Sequence, residues 1–106
     1  MRGSCNAESF MLTTLLSAAT ADGRSSTYFT APGDMTVRVS FSGTIGTATI
    51  SLEISPIDAP GTTFIPLGAE FKTGQLTPVI LDLRAGDQLY AYQINTSGTS
   101  STVRVQ

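Results

Sequence analysis

The chain has 106 residues, of which 41% are hydrophobic and only 13% charged, and its formal net charge is −2. This is the length of one domain. The six basic residues are scattered along the chain and do not form the basic stripe that nucleic acid binding requires. With no histidine and a single cysteine, Cys5, the composition excludes a Ser-His-Asp or Cys-His mechanism, a Cys/His zinc site and an intrachain disulfide.

The N-terminal segment FMLTTLLSAATA, residues 10–21, contains an apolar run. The run is too short for a membrane-spanning helix, and its threonines and the preceding Glu8 disfavour a signal peptide, so we expect neither. Two structures stay open for residues 9–19. A helix would place Leu12, Leu15, Leu16 and Ala19 on one face. The Asp22-Gly23 turn and the following STYFT favour the first strand of a β-hairpin.

Alternating apolar and polar residues dominate the rest of the chain, separated by short clusters of Gly, Pro, Asp and Asn. The apolar rows that this alternation predicts are Met35, Val37, Val39 and Phe41; Ile50, Leu52 and Ile54; Val79, Leu81 and Leu83; and Val103 and Val105. In QLYAYQI it places Leu89, Ala91 and Gln93 on one face and Tyr90, Tyr92 and Ile94 on the other, and either face could be the buried one. About eight short strands of this kind predict an all-β fold, an antiparallel β-sandwich of jelly-roll-like form. We expect residues 1–20 to form an N-terminal arm and first strand, and residues 21–106 to form a single sandwich domain.

Two stretches of the chain echo one another, PGDMTVRVSFSGTIGTATISL at 32–52 and AGDQLYAYQINTSGTSSTVRV at 85–105. Each contains Gly-Asp, an alternating strand, a Gly/Thr/Ser turn and a second strand. One interpretation is a pair of related hairpins packed face to face across the core. The other is that any two β-hairpins with glycine turns look alike.

The acidic residues predict turns more strongly than chemistry. Asp22, Asp34 and Asp87 each lie beside a glycine at a strand boundary, where aspartate side chains close turns. The chain has no closely spaced run of oxygen ligands of the kind that a calcium site requires. We therefore predict no metal, no cofactor and no catalytic residue, and a small enzyme with paired carboxylates is the weakest functional alternative.

The stretch SPIDAPGTTFIPLG, residues 55–68, predicts a strand end, a tight connection and a second strand. It resembles a pattern in small all-β structural proteins of tailed bacteriophages, in which a strand ends in Ser-Pro-Asp-Gly-Gly-Thr-Thr and an aromatic residue, followed by Leu and Gly. Ile57, Ala59 and Pro60 depart from the pattern, and Phe64 stands where Trp is more usual. The matching residues are Ser55, Pro56, Asp58, Gly61, Thr62, Thr63, Phe64, Leu67 and Gly68.

This resemblance implies a virion structural protein. Such proteins commonly serve as capsid decoration (cement) proteins, often trimeric, which bind the major capsid protein on the capsid exterior and stabilise the shell by bridging its subunits. We expect no nucleic acid or membrane partner. The residues predicted to contact other subunits are Phe10, Met11, Leu12, Leu15, Leu16, Tyr90 and Tyr92.

The alternative function is a tail, fibre or surface adhesion module that binds carbohydrate. The loops SPIDAPG and NTSGT would then carry the contacts together with Tyr90 and Tyr92. Core or interface packing is the more economical interpretation of these rings, because the chain has no Trp, the ring best suited to stacking on sugars.

Overall fold

A computed structural model describes residues 13–56, 58, 61–73 and 76–106 of the chain. These residues form nine strands and no helix. The strands are β1 (Thr13–Ala19), β2 (Gly23–Arg24), β3 (Phe29–Thr30), β4 (Met35–Thr44), β5 (Thr49–Ser55), β6 (Ile65–Phe71), β7 (Val79–Leu83), β8 (Gln88–Ile94) and β9 (Ser100–Val105).

The strands form two sheets, and every pairing in them is antiparallel. The front sheet has the order β1-β9-β4-β7, and the back sheet has the order β2-β8-β5-β6, with the short β3 also paired to β8. The two sheets pack around one core, as the alternating pattern predicts. The predicted β-sandwich is therefore confirmed.

The core lies between the inward rows of β4, β5, β8 and β9. Its members include Val37, Val39, Ile50, Leu52, Leu89, Ala91, Val103 and Val105, each at most 1% exposed. Met35, Phe41 and Ile54 are partly buried against them. The inward faces predicted for β4, β5 and β9 are confirmed, because alternation is a local property that any sheet with one buried face must obey. In β8, for which the alternation left both faces open, Leu89, Ala91 and Gln93 form the buried row.

The N-terminal segment is a strand from Thr13 to Ala19, so a helix is wrong for these residues. The predicted hairpin is also wrong, because β1 pairs with β9 and not with the strands that follow the Asp22-Gly23 turn. That turn instead carries the chain from the front sheet to β2 of the back sheet. Leu15 and Leu16 are both buried although they are adjacent, and the β1–β9 register shifts beside them.

The two echoing stretches do not form hairpins. In each of them the first and second strands lie in different sheets, so the connection is an arch across the core. The strands pair between the stretches: β4 with β9, and β5 with β8. Ile45 and Ala48 in the first connection are buried, which explains the arch, since a hairpin loop would leave these apolar side chains in water.

Residues 55–68 contain a strand end, a connection and the start of a second strand, as predicted, and the connection is a hairpin because β5 and β6 pair directly. The Ser55 hydroxyl oxygen accepts a hydrogen bond from the Gly61 backbone N–H at 2.8 Å. This bond joins the two ends of the connection. Phe64 lies immediately before β6, close to the outer face of the back sheet.

Candidate functional site

The predicted contact residues are not brought together as one surface. Phe10, Met11 and Leu12 lie outside the described residues. Leu15 and Leu16 are 4% and 8% exposed and fill the subunit's own core, so they present little side-chain surface to another subunit. Tyr90 and Tyr92 share one face of β8, as the alternation predicts, and the structure places that face on the outside of the back sheet, opposite the core row.

Four aromatic side chains gather on that outer face. Tyr28 stacks on Tyr90 with ring centres 5.0 Å apart, and Phe64 meets Tyr90 edge to face, also at 5.0 Å. Tyr90 is only 7% exposed, whereas Tyr28 above it is 42% exposed. We call the rings of Tyr28, Phe64, Tyr90 and Tyr92 the aromatic face.

The guanidinium group of Arg24 packs against two rings of the aromatic face. Its guanidinium carbon lies 3.7 Å from the ring centre of Phe64 and 5.3 Å from that of Tyr92. Its Nε–H donates to Glu53 Oε1 at 2.7 Å, and the Glu53 side chain is largely buried. The guanidinium of Arg24 therefore contacts aromatic rings through its flat faces and the Glu53 carboxylate through its edge. The Arg24–Glu53 ion pair contributes no net charge to the surface.

The sheet register explains this assembly. Arg24 of β2 lies opposite Tyr92 of β8, and Glu53 of β5 lies opposite Tyr90. Neighbouring strands are about 4.8 Å apart, so a long arginine side chain on β2 reaches across β8 to β5. Sequence analysis did not find the roles of Arg24 and Glu53, because the β2–β8 and β5–β8 pairings join distant parts of the chain.

The hydroxyl of Tyr90 remains protonated in this environment. Burial raises the pKa of Tyr90 above the usual 10.0, neighbouring Tyr28 raises it further, and Arg24 opposes both. The hydroxyl donates a hydrogen bond to Gln88 Oε1 at 3.2 Å. Tyr90 therefore stays neutral at neutral pH, and its ring supports the rings around it.

A shallow depression of about 250 Å³ adjoins the aromatic face and is lined by Ser51, Pro66, Gly68 and Glu70. Ser51 lies opposite Tyr92 on one side and opposite Glu70 on the other. A ring, a hydroxyl and a carboxylate therefore follow one another across three adjacent strands.

The three aspartates predicted to close turns have different roles. Asp87 accepts a hydrogen bond from the Arg84 backbone N–H at 3.0 Å and so closes its own turn. Asp34 accepts from the distant Ala85 N–H at 2.9 Å. Asp22 accepts from the Thr96 hydroxyl at 2.6 Å and from its N–H at 3.1 Å, and these bonds hold the pKa of Asp22 below its usual 3.8.

Two further concave regions lie elsewhere. A groove of about 480 Å³ runs between β1 and the β2–β3 segment, and a hollow of about 410 Å³ lies beside Asp34 and Asp82. Within the described ranges, no group of three or more cysteine or acidic side chains could hold a metal ion. No helix long and apolar enough to cross a membrane occurs in that part of the chain either.

Comparison with known proteins yields no relative: no family model matches the chain, and no curated protein or solved structure is significantly similar to it. The aromatic face and its depression are the candidate site, because they combine the exposed ring of Tyr28 with polar groups on neighbouring strands of one sheet.

Proposed function

We propose that this protein is a structural component of a bacteriophage virion, a decoration protein that binds the outer surface of the capsid and stabilises the shell by bridging its subunits. One observation carries the proposal. The residues that resemble small phage structural proteins, 55–68, join two paired strands of a β-sandwich, the architecture that the resemblance implies.

The strand orders support a finer description of the fold as a jelly roll. In both sheets, strands from the N-terminal half of the chain lie next to strands from its C-terminal half: the front order is β1-β9-β4-β7 and the back order is β2-β8-β5-β6. Most connections between consecutive strands cross from one sheet to the other. Two Greek keys wound in this way are typical of jelly rolls, an architecture found among viral capsid and lectin domains. The architecture alone does not assign a function.

A decoration role has a physical basis in this composition. A shell packed with DNA is under outward load, and a small rigid sandwich that bridges neighbouring subunits adds buried contact area at the joints. Few surface charges and many hydroxyl groups suit contacts made by shape and hydrogen bonds. We assign the capsid contact to residues 1–12, whose apolar Phe10, Met11 and Leu12 precede β1 in the chain; Leu15 and Leu16, also predicted to make this contact, are buried in the subunit's own core.

Deletion of residues 1–12 tests this assignment. We expect the truncated chain to keep a β-type circular dichroism spectrum and to lose co-sedimentation with empty capsids of the phage that encodes it, because the contact residues are gone while the sandwich remains. The matched control is Ile80→Ser, a change at an exposed side chain of β7, which should bind like the parent chain. Unchanged binding after the deletion would contradict the proposal.

Carbohydrate binding on a tail or surface adhesion module is a second candidate function. The specific observation in its favour is the exposed ring of Tyr28, which Tyr90 supports from beneath. A protein with this function would bind glycans whether or not capsids are present, whereas a decoration protein requires capsids. The two binding measurements therefore separate the two functions.

A further inference from the structure

We infer that the aromatic face and the adjoining depression form a binding site for a neutral oligosaccharide. The inference deepens the second candidate function and is compatible with a decoration role, since the site lies on the outer face of the back sheet and does not use the N-terminal segment. It rests on three features: the ring of Tyr28, which stacks on Tyr90; the cation of Arg24, which Glu53 neutralises; and the polar depression beside them.

The ring of Tyr28 offers a rigid apolar surface. Burial of a large ring is normally favourable, yet Tyr28 is 42% exposed while stacked on the nearly buried Tyr90. A supported ring loses little conformational entropy when a ligand binds to its outward side. The C–H face of a pyranose is a suitable ligand, because its weakly positive hydrogens meet the negative face of the ring.

The charges at the site favour a neutral ligand over an anionic one. The charge of Arg24 is neutralised by Glu53, whose Oε1 lies 2.7 Å from Nε, so the attraction of this site for phosphate or carboxylate is weakened. Glu70 at the depression is exposed and has no ion pair among the described residues. An anionic ligand would be repelled there, whereas the hydroxyl groups of a neutral sugar would donate hydrogen bonds to this carboxylate.

The depression supplies the polar groups that a sugar requires. The Ser51 hydroxyl and the Glu70 carboxylate lie on neighbouring strands, with Tyr92 next to Ser51 on the other side. Gly68 leaves the depression open, since an added Cβ there would meet no atom within 4 Å. Neighbouring strands are about 4.8 Å apart, and β8 and β6 are separated by two such spacings. A site that extends from the rings on β8 to the depression on β6 therefore fits a chain of sugars better than a single sugar.

The test uses the full chain and a panel of soluble probes. The neutral probes are cellotetraose, maltotetraose, mannotetraose and chitotetraose, and the anionic probe is tetragalacturonate. Binding is followed by amide shifts in two-dimensional NMR spectra, which locate the site as well as measure Kd. We expect at least one neutral probe to cause saturable shifts at Ser51, Glu70 and Tyr92, and tetragalacturonate to cause none there.

Two variants then test the residues. Tyr28→Ala and Glu70→Ala should each weaken binding about tenfold, the effect of losing one stacking or charge-assisted contact. Ile80→Ala, an exposed residue of the other sheet, should leave Kd unchanged. Glu70 is exposed and has no side-chain hydrogen bond among the described residues, so its variant keeps the test decisive if Tyr28→Ala does not fold.

Three results would overturn the inference: no shifts at the site with any neutral probe, tighter binding of tetragalacturonate, or equal Kd values for the parent chain and both variants. Capsid co-sedimentation is measured separately on the same protein. Failure of saccharide binding with retained capsid binding would overturn only this inference, and the reverse result would overturn only the decoration role.

Discussion

Gln93 shows how a single polar residue can be accommodated in an apolar core. Its side chain is fully buried, yet its amide nitrogen donates to the Ala21 carbonyl at 3.0 Å and its amide oxygen accepts from the Ser101 hydroxyl at 2.5 Å. A buried amide is tolerated when it is hydrogen-bonded and costly when it is not. Gln93 therefore joins the back sheet to β9 of the front sheet and to the loop after β1.

We expect Gln93→Leu to lower the free energy of unfolding by about 1 to 3 kcal/mol, because the Ser101 hydroxyl loses its partner while it remains buried and the partly buried bond to the Ala21 carbonyl is also lost. Urea denaturation followed by circular dichroism measures the loss. Adding Ser101→Ala to this variant should recover part of it, since one unsatisfied group is removed. A loss below about 0.5 kcal/mol would show that the network contributes little.

The two arches between β4 and β5 and between β8 and β9 are bound to each other. The Thr47 hydroxyl donates to the Asn95 carbonyl at 2.8 Å, and the Thr99 hydroxyl donates to the Ile45 carbonyl at 2.6 Å. Next to them, β4 approaches β9 so closely at Gly43 that a Cβ there would lie 2.3 Å from the Ser100 carbonyl oxygen. The contact depends on glycine both for space and for a φ of 87°.

Gly43→Ala should therefore destabilise the protein by about 2 kcal/mol or more, from the positive φ together with the displaced backbone. Gly33→Ala is the matched control, because an added Cβ there meets nothing within 4 Å, and it should change stability by less than about 1 kcal/mol. Thermal and urea unfolding of both variants check the difference. Equal stabilities would mean that β4 and β9 can separate at this point without cost.

At the scale of the whole molecule, the most irregular described edge of the sandwich is β1. β1 lies at the edge of the front sheet, and its pairing with β9 shifts register twice. Ala18 within it has a φ of 47°, which is unusual for a residue with a side chain. Such irregularities blunt an edge against pairing with another chain, so we expect subunits to associate through the N-terminal segment and not by continuing the sheet.

A homotrimer is the expected state in solution. We propose this state because the resemblance to phage decoration proteins implies it, and light scattering on a sizing column should then give about three times the 11.1 kDa mass of the chain when the N terminus is intact. Removal of residues 1–12 should yield a monomer. A monomer with the N terminus intact would contradict the trimer and restrict decoration to contacts that the capsid supplies.

The amino-acid sequence by itself determined most of the strands, which of their side chains share a face, and the tight connection that follows Ser55. These properties are local: alternation shows which side chains of a strand share a face, and the turn residues between Ser55 and Phe64 show where one strand ends and the next begins. The same reasoning placed Tyr90 and Tyr92 together on one face of β8, but only the packing of the sandwich decided that this face is the outer one.

Only the tertiary structure decided which strands pair and hence what surrounds those rings. Backbone donors and acceptors are the same on every strand, so partner choice is settled by packing of the whole core, which turned the expected hairpins into arches and paired β1 with β9. Arg24, Glu53 and Phe64 meet Tyr90 and Tyr92 through such long-range pairings. The candidate site could not be read from the sequence because it exists only where distant strands become neighbours.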